Sequence, residues 1–339
     1  MMKKKIKWGI IGTGKIANRF ADALSNLEDA GMAAVASRSM DTGKAFAAKY
    51  GIATVHVGYE NLVADPEIDV VFIGTPHIFH LRDALMCFQA GKHVLCEKPL
   101  TLNAEQAEKM IAAAREKKVF LMEAMWTRFF PIHVKIRELL VKQALGKLRM
   151  LQVNFCYCAP DDLENRFFNH ELGGGVLMDA GSYGISFATS LFGPPAETTA
   201  IADFGPTGVD FQSSCLLRHK NGEISTIATS MISPDVKNAT IVGEKGRIDI
   251  DSAWYKPTGM TVSIDCSEPQ RFDFPLPEGY NGYEYEAEEV MNCIRAGKTE
   301  SAIMPLDETL SIMRTLDKAR SQIGLEYPGE ASEKYRASA

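Results

Sequence analysis

The 339-residue chain carries 46% hydrophobic and 24% charged residues with a net charge of -6, the balance of an ordinary globular protein. Its length exceeds the roughly 250–300 residues at which single cores stop growing, so two domains are expected. The negative balance gives no electrostatic reason to expect nucleic acid or an anionic membrane as partner, and no apolar run approaches the ~18 residues of a membrane span.

The start, Met1-Met2-Lys3-Lys4-Lys5, is followed by an apolar stretch that Gly12, Gly14 and Lys15 interrupt, so no export leader is expected. The seven cysteines are scattered, with no C-x-x-C pair, which favours a reducing, cytoplasmic compartment. Cys156 and Cys158 fall on one face of a strand-like run and read as sheet-face thiols rather than a zinc pair.

Short apolar runs alternate with helical patterns in the first third. The runs are 7–11, 33–36, 70–73 and 93–96; the helical stretches are 16–27, 41–50, 80–90 and 104–117, and Gly31, Gly51 and Gly91 follow the first three. Apolar strands separated by helices predict βαβ units and a doubly wound parallel sheet. After about Glu123 the pattern changes. A helix over 132–142 precedes alternating runs at 147–155, 198–203, 211–218, 224–230, 238–242, 246–250 and 260–264. These predict a large, mainly antiparallel open sheet, with a tight turn at Lys220-Asn221-Gly222. Helical spacing returns at 283–296 and 306–323, and the polar end, 329–339, is expected to fray. The fold class is therefore α/β: an N-terminal doubly wound Rossmann domain, 1–125, and a C-terminal α+β domain, 126–339.

Gly12-Thr13-Gly14-Lys15-Ile16-Ala17 follows the first strand and opens the first helix. Gly12 suits the tight turn, Gly14 permits backbone N–H groups to approach a pyrophosphate, and Ala17 permits close helix packing. At the end of the second strand, where an acid would bond a ribose 2′-hydroxyl, the chain has Ser37 and Arg38, then Ser39. A guanidinium and hydroxyls suit a 2′-phosphate, so NADP is expected, with NAD left open by the nearby Asp41.

The fourth strand ends in Gly74-Thr75-Pro76-His77, with His80 opening the next helix, and the fifth ends in Glu97-Lys98-Pro99. Both are carboxyl ends of strands, where such sheets bind ligands. A lysine there can stabilise the alkoxide character of an alcohol giving up hydride. A second cluster runs from Asn165-Arg166 through Gly173-Gly174-Gly175 to Asp179 and Tyr183. Four residues apart on a helix from Val176 onward, the acid and the phenol share a face and could address one hydroxyl. A phenol is a weak base at its ordinary pKa near ~10, and a nearby ammonium makes it usable.

These motifs, with Glu123-Ala124-Met125-Trp126-Thr127-Arg128-Phe129, resemble the Gfo/Idh/MocA oxidoreductases from Lys7 to about Arg320. The likeness is greatest to the branch holding dimeric dihydrodiol dehydrogenase and the NADP-dependent D-xylose dehydrogenases. The resemblance implies Lys98 and Tyr183 as catalytic pair and Asp179, Trp126 and Arg166 on the substrate side. It implies cofactor contacts from Gly12 to Ala17, from Ser37 and Arg38, from Thr75, Pro76, His77 and His80, and from Glu97, Lys98 and Arg128. Trp126 and Arg128 would then sit at the domain junction near the nicotinamide, and a homodimer would form through the open sheet faces.

Tyr183 stands where the inositol dehydrogenases have histidine, and His77 where asparagine is common. The activity implied is hydride transfer between NADP and a CH–OH group of a sugar, polyol or cyclic diol. Two other readings are a catalytically silent nucleotide sensor, which loss of Lys98 or Tyr183 would favour, and a zinc hydrolase using His77 and His80, for which no H-E-x-x-H or third ligand exists.

Overall fold

The computed structural model describes residues 5–160, 162–328 and 330, so the start through Lys4, Asp161, Gly329 and the tail 331–339 lie outside the described residues. The chain divides into two compact units, Met1–Phe130 with Pro275–Leu310 and Pro131–Phe274 with Ser311–Ala339. The segment 275–310 thus returns to the first unit, and the units interleave along the chain.

The first unit runs β1 (Ile6–Ile11), α1 (Lys15–Ser25), β2 (Ala30–Ser37), α2 (Met40–Tyr50), β3 (Thr54–Val57), α3 (Tyr59–Val63), β4 (Val70–Ile73), α4 (His80–Gln89), β5 (His93–Glu97), α5 (Ala104–Lys117) and β6 (Leu121–Ala124). All six strands pair in parallel in the order β3-β2-β1-β4-β5-β6. Strand order reverses between β1 and β4, and that is where ligands bind in sheets of this kind. Every residue of β4 is buried, as expected of a strand inside a parallel sheet. The doubly wound sheet expected from the sequence is present, with β3, α3 and β6 as elements the periodicity did not resolve.

The second unit adds α6 (Pro131–Val141), β7 (Leu148–Cys158), α7 (Ser182–Phe192), β8 (Pro195–Phe204), β9 (Asp210–His219), β10 (Ile224–Ser230), β11 (Ile232–Val236), β12 (Ala239–Gly243), β13 (Gly246–Ile250), β14 (Gly259–Ile264) and β15 (Gln270–Asp273). Its sheet runs β15-β14-β13-β12-β7-β10-β9-β8, with β11 also on β7, and every pairing except the parallel β7–β10 is antiparallel. The helix α8 (Glu284–Arg295) belongs to the first unit, and α9 (Leu306–Ile323) starts there and continues in the second.

β9 alternates strictly between buried and exposed positions from Ser213 to His219. One sheet face is therefore covered and the other open. Gly184 brings α7 onto the covered face, since a Cβ there would stand 2.6 Å from Ile227 Cγ2. Phe155 and Ile227 are buried on the inner side, whereas Leu216 is exposed on the outer one. The open face also presents Gln152, Thr199, Ile201, Ser214 and Thr226.

Candidate active site

Each unit holds its own part of the machinery. In the first, Gly12 turns the chain after β1 at φ +97, its N–H donating to Ala36 O at 3.0 Å. A Cβ at Gly14 would meet no atom within 4 Å, and no side chain caps the start of α1. The first-turn N–H groups of α1 are therefore left for an outside acceptor, which is what a pyrophosphate requires. Thr13 and Gly14 carbonyls accept from Asn18 Nδ2, and Ala17 is fully buried under the turn. Lys15 and Ile16 open the helix beside them.

At the end of β2, Ser37 is buried with its hydroxyl 2.6 Å from Thr42 Oγ1, and Ser39 caps α2 by accepting from the Thr42 N–H. Arg38 is exposed and makes no ion pair with a described residue. Asp41 lies in the first turn of α2, favourably placed for the helix dipole.

Thr75 donates its hydroxyl to Asp83 Oδ2 at 2.9 Å, and Asp83 is fully buried. Pro76 leads into the short helical turn His77–Phe79, in which His77 is buried. His80 is 1% exposed; Nε2 lies 2.8 Å from Thr75 O, and Nδ1 lies 3.2 and 3.1 Å from the Pro99 and Leu100 carbonyls. Burial holds its pKa below the ordinary histidine value, and a neutral ring carries one N–H, so it donates to one of these strand ends and only packs against the other.

Glu97 closes β5 and accepts the Lys98 N–H through Oε2 at 3.1 Å. The loop after Lys98 is held by Glu123 of β6, whose Oε1 accepts the Leu100 N–H at 3.0 Å. Burial pushes Glu123 up to about 7, against the Leu100 N–H, Thr309, Arg128 and Lys98, which pull it down. Arg128 is 3% exposed and pairs with Glu308. Trp126 stacks on Tyr283 with centroids 4.2 Å apart and planes 6° from parallel. Glu123, Glu308 and Tyr283 were not singled out by sequence reasoning as site residues. For Glu123, the signal available was a carboxylate in an otherwise apolar strand.

In the second unit, residues 177–181 form a π-turn that runs into α7, rather than the regular helix that the i, i+4 reading assumed. Such turns are frequent at functional sites. Asp179 sits on that turn and Tyr183 one turn later, 7% exposed. Tyr157 of β7 donates its hydroxyl to Asp179 Oδ2 at 2.7 Å, and Arg166 lies 3.7 Å from Oδ1 while its guanidinium covers the Phe167 ring. Aromatic rings surround this group: Phe155 stacks on Tyr255 at 4.3 Å and lies 5.6 Å from Tyr183, and Tyr157 meets Phe167 edge-on at 5.9 Å. Asp179, Tyr183 and Arg166 are thus brought together, with Tyr157 of β7 as a further member.

No helix of the described residues is long and apolar enough to cross a membrane. The family description "Oxidoreductase family, NAD-binding Rossmann fold" matches residues 6–125, and the GFO/IDH/MocA C-terminal domain matches 133–249. Proteins named trans-1,2-dihydrobenzene-1,2-diol dehydrogenase share 38% identity over 335 residues in Xenopus tropicalis and 40% over 336 in Xenopus laevis, covering 95% of this chain and 99% of each relative. Among solved structures, a levoglucosan dehydrogenase in complex with NADH and levoglucosan has a TM-score of 0.87 at 19% identity, covering 95% of this chain and 98% of its own. The aldose-aldose oxidoreductase of Caulobacter crescentus has a TM-score of 0.86 at 24%, covering 94% and 97%. These two share the fold. The chain belongs to the Gfo/Idh/MocA oxidoreductase family and is a nicotinamide-dependent oxidoreductase.

Proposed function

We propose that the chain is an NADP-dependent dehydrogenase or reductase of a CH–OH group, with a trans-diol on a small ring as its preferred substrate and sugars or polyols as alternatives. The observation that carries this reading is the group around Asp179: a carboxylate held by Tyr157 and beside Arg166, walled by Phe155, Phe167, Tyr183 and Tyr255. A carboxylate accepts from a substrate hydroxyl, while the rings bury an apolar ring face. The names of the frog relatives describe a substrate of that class. The exposed Arg38 in place of an acid supports NADP over NAD.

The residues present fit the cofactor: an uncapped helix start, an open Gly14 and a free cation at the end of β2. When bound, the nicotinamide supplies or takes the hydride. In oxidation, Tyr183 would act as the phenolate and take up the substrate hydroxyl proton to become the phenol, the Lys98 ammonium would stabilise negative charge on oxygen, and Asp179 would fix a neighbouring hydroxyl. In reduction the proton moves the other way. Trp126 and Arg166 are assigned to the substrate side, and Gly12 to Ala17, Ser37, Arg38, Thr75 to His77, His80, Glu97 and Arg128 to cofactor binding and its support. The division of labour is 1–125 for the dinucleotide and 126–339 for substrate and dimerisation, with 275–310 packing as part of the first unit, in the cytoplasm.

A homodimer through the open sheet face is part of the reading, because Ile201 is 70% and Leu216 49% exposed there. Sedimentation of the protein at micromolar concentration checks it; a monomer would count against it. The activity is tested by following NADPH formation with trans-dihydrodiols, aldoses and polyols. The fastest turnover is expected with a trans-dihydrodiol, and no NADPH formation with any of them overturns the reading.

A further inference from the structure

Behind the Asp179 turn lies a carboxyl group that the proposed chemistry does not use. Asp210, the first residue of β9, is fully buried, and its Oδ2 accepts the Leu177 N–H at 2.8 Å. Leu177 is the first residue of the π-turn that carries Asp179. That turn has no side-chain cap on its preceding residue, so Asp210 supplies from another strand the acceptor that a helix start needs.

The glycines before it are fitted to this arrangement. Gly175 adopts φ +114, and a Cβ on it would be driven into Asp210 Oδ1. Gly174 O accepts from the Tyr327 hydroxyl at 2.5 Å, and a Cβ on Gly174 would stand 2.7 Å from Phe167 O. Tyr327 is itself 3% exposed and lies under Arg320, which pairs with Asp317 and Glu330. The turn is therefore gripped on its inner side by two buried groups, one from β9 and one from the segment after α9.

We propose that Asp210, backed by Tyr327, is a positioning residue that fixes the register of the Leu177–Gly181 turn and thereby the placement of Asp179 and Tyr183. The inference rests on the reading of Asp179 and Tyr183 as substrate-facing residues. A helix start anchored by a carboxylate is held by charge as well as by a hydrogen bond. Burial pushes Asp210 up to about 7, against the Leu177 N–H, its own N–H, the Ser213 hydroxyl and Arg320. The groups facing it are thus Leu177, Ser213, Arg320 and Tyr327, with Tyr157 and Cys215 also within electrostatic reach. Loss of the proton strengthens the hydrogen bond to Leu177 while burial penalises the charge, so the protection of the turn is expected to change with pH near 7.

Three variants of the full chain test this: Asp210→Ala, Asp210→Asn and Tyr183→Phe, each assayed with NADP and trans-1,2-dihydrobenzene-1,2-diol from pH 5.5 to 8.5. Amide hydrogen exchange of the 175–183 peptides is measured alongside. Asp210→Ala is expected to speed exchange there at least 10-fold, to lower kcat/KM for the diol at least 10-fold, and to change KM for NADP by less than 2-fold. Asp210→Asn retains an acceptor for Leu177, so it is expected to recover most of the exchange protection and to lose the dependence of that protection on pH near 7. If Asp210→Ala fails to fold, the Asn variant decides through that pH dependence.

Wild-type protection in Asp210→Ala, or an unaltered pH dependence in Asp210→Asn, overturns the proposal. If the diol is not oxidised, or Tyr183→Phe keeps full turnover, the substrate-side reading fails instead, while exchange still reports on the anchor.

Discussion

The Tyr157 hydroxyl donates to Asp179 Oδ2 at 2.7 Å, joining β7 to the turn before α7. Burial and the Asp179 carboxylate hold the Tyr157 phenol well above its usual range, so it stays a neutral donor at physiological pH. With Arg166 near the other oxygen, Asp179 is held by contacts at both of its oxygens. Tyr157→Phe removes one hydrogen bond to a charged acceptor, worth about 1.5–3 kcal/mol. KM for the best substrate should rise roughly 10-fold or more by that conversion, with KM for NADP unchanged; steady-state kinetics in both substrates checks it. An unaltered substrate KM would mean that Asp179 does not depend on Tyr157 for its orientation.

Lys98→Met and Tyr183→Phe should each lower kcat by roughly the 10²–10⁴-fold typical of lost acid–base catalysis, while NADP binding changes little. If the two serve one proton transfer as proposed, the double variant should cost much less than the product of the single losses. Kinetics of the four proteins forms the cycle. Strict additivity would separate their roles, and full activity of Tyr183→Phe would return Tyr183 to packing among Phe155 and Tyr255.

Arg38 stands exposed at the end of β2, where a 2′-phosphate would meet it if NADP lies along the β1 and β2 ends. Arg38→Ala should weaken NADP by at least 10-fold and NAD by less than 2-fold, since only NADP loses a charge-assisted contact. Fluorescence titration with both nucleotides measures this. Equal losses for the two cofactors would assign Arg38 a general rather than a phosphate-selective role.

The parallel sheet was legible because its strands are unbroken apolar runs set between amphipathic helices, and α5 falls on the expected residues 104–117. The site was legible where chemistry sits at a strand end or beside a glycine, as at Gly12, Lys98 and Asp179. The π-turn was not, because residues 176–183 have ordinary helical composition and their register is set by Asp210, which bonds Leu177 from 33 residues further along the chain. The inward facing of Tyr157 was hidden for a similar reason: strand alternation gives two faces, and which one meets a helix depends on Gly184 docking against Ile227. β11 escaped notice because Pro234 interrupts a short, exposed run, the kind of sequence that pairs only at an edge.

Glu286, in the first turn of α8, is fully buried, and neither carboxyl oxygen has a hydrogen-bond partner among the described residues. Burial and the Glu97 carboxylate together push it well above the carboxylate range, so the folded protein keeps a proton that the unfolded chain sheds above about pH 4.3. Between that pH and the folded-state value, unfolding releases a proton, and stability therefore falls as pH rises. Glu286→Met has similar length and no proton to lose. It should raise Tm by a few degrees at pH 8, in line with about 1–3 kcal/mol for relieving a buried unsatisfied polar group. At pH 5 the gain should be smaller, because the acid there is neutral in the folded state at little cost. Glu123 and Asp210, both pushed up to about 7, contribute the same sign of slope to both proteins and cancel in the difference. Scanning calorimetry of both proteins at the two pH values decides the matter: an equal gain at pH 5 and pH 8 would show that packing alone, rather than the retained proton, separates them, and a loss at pH 8 would show that Glu286 is held by contacts worth more than its desolvation.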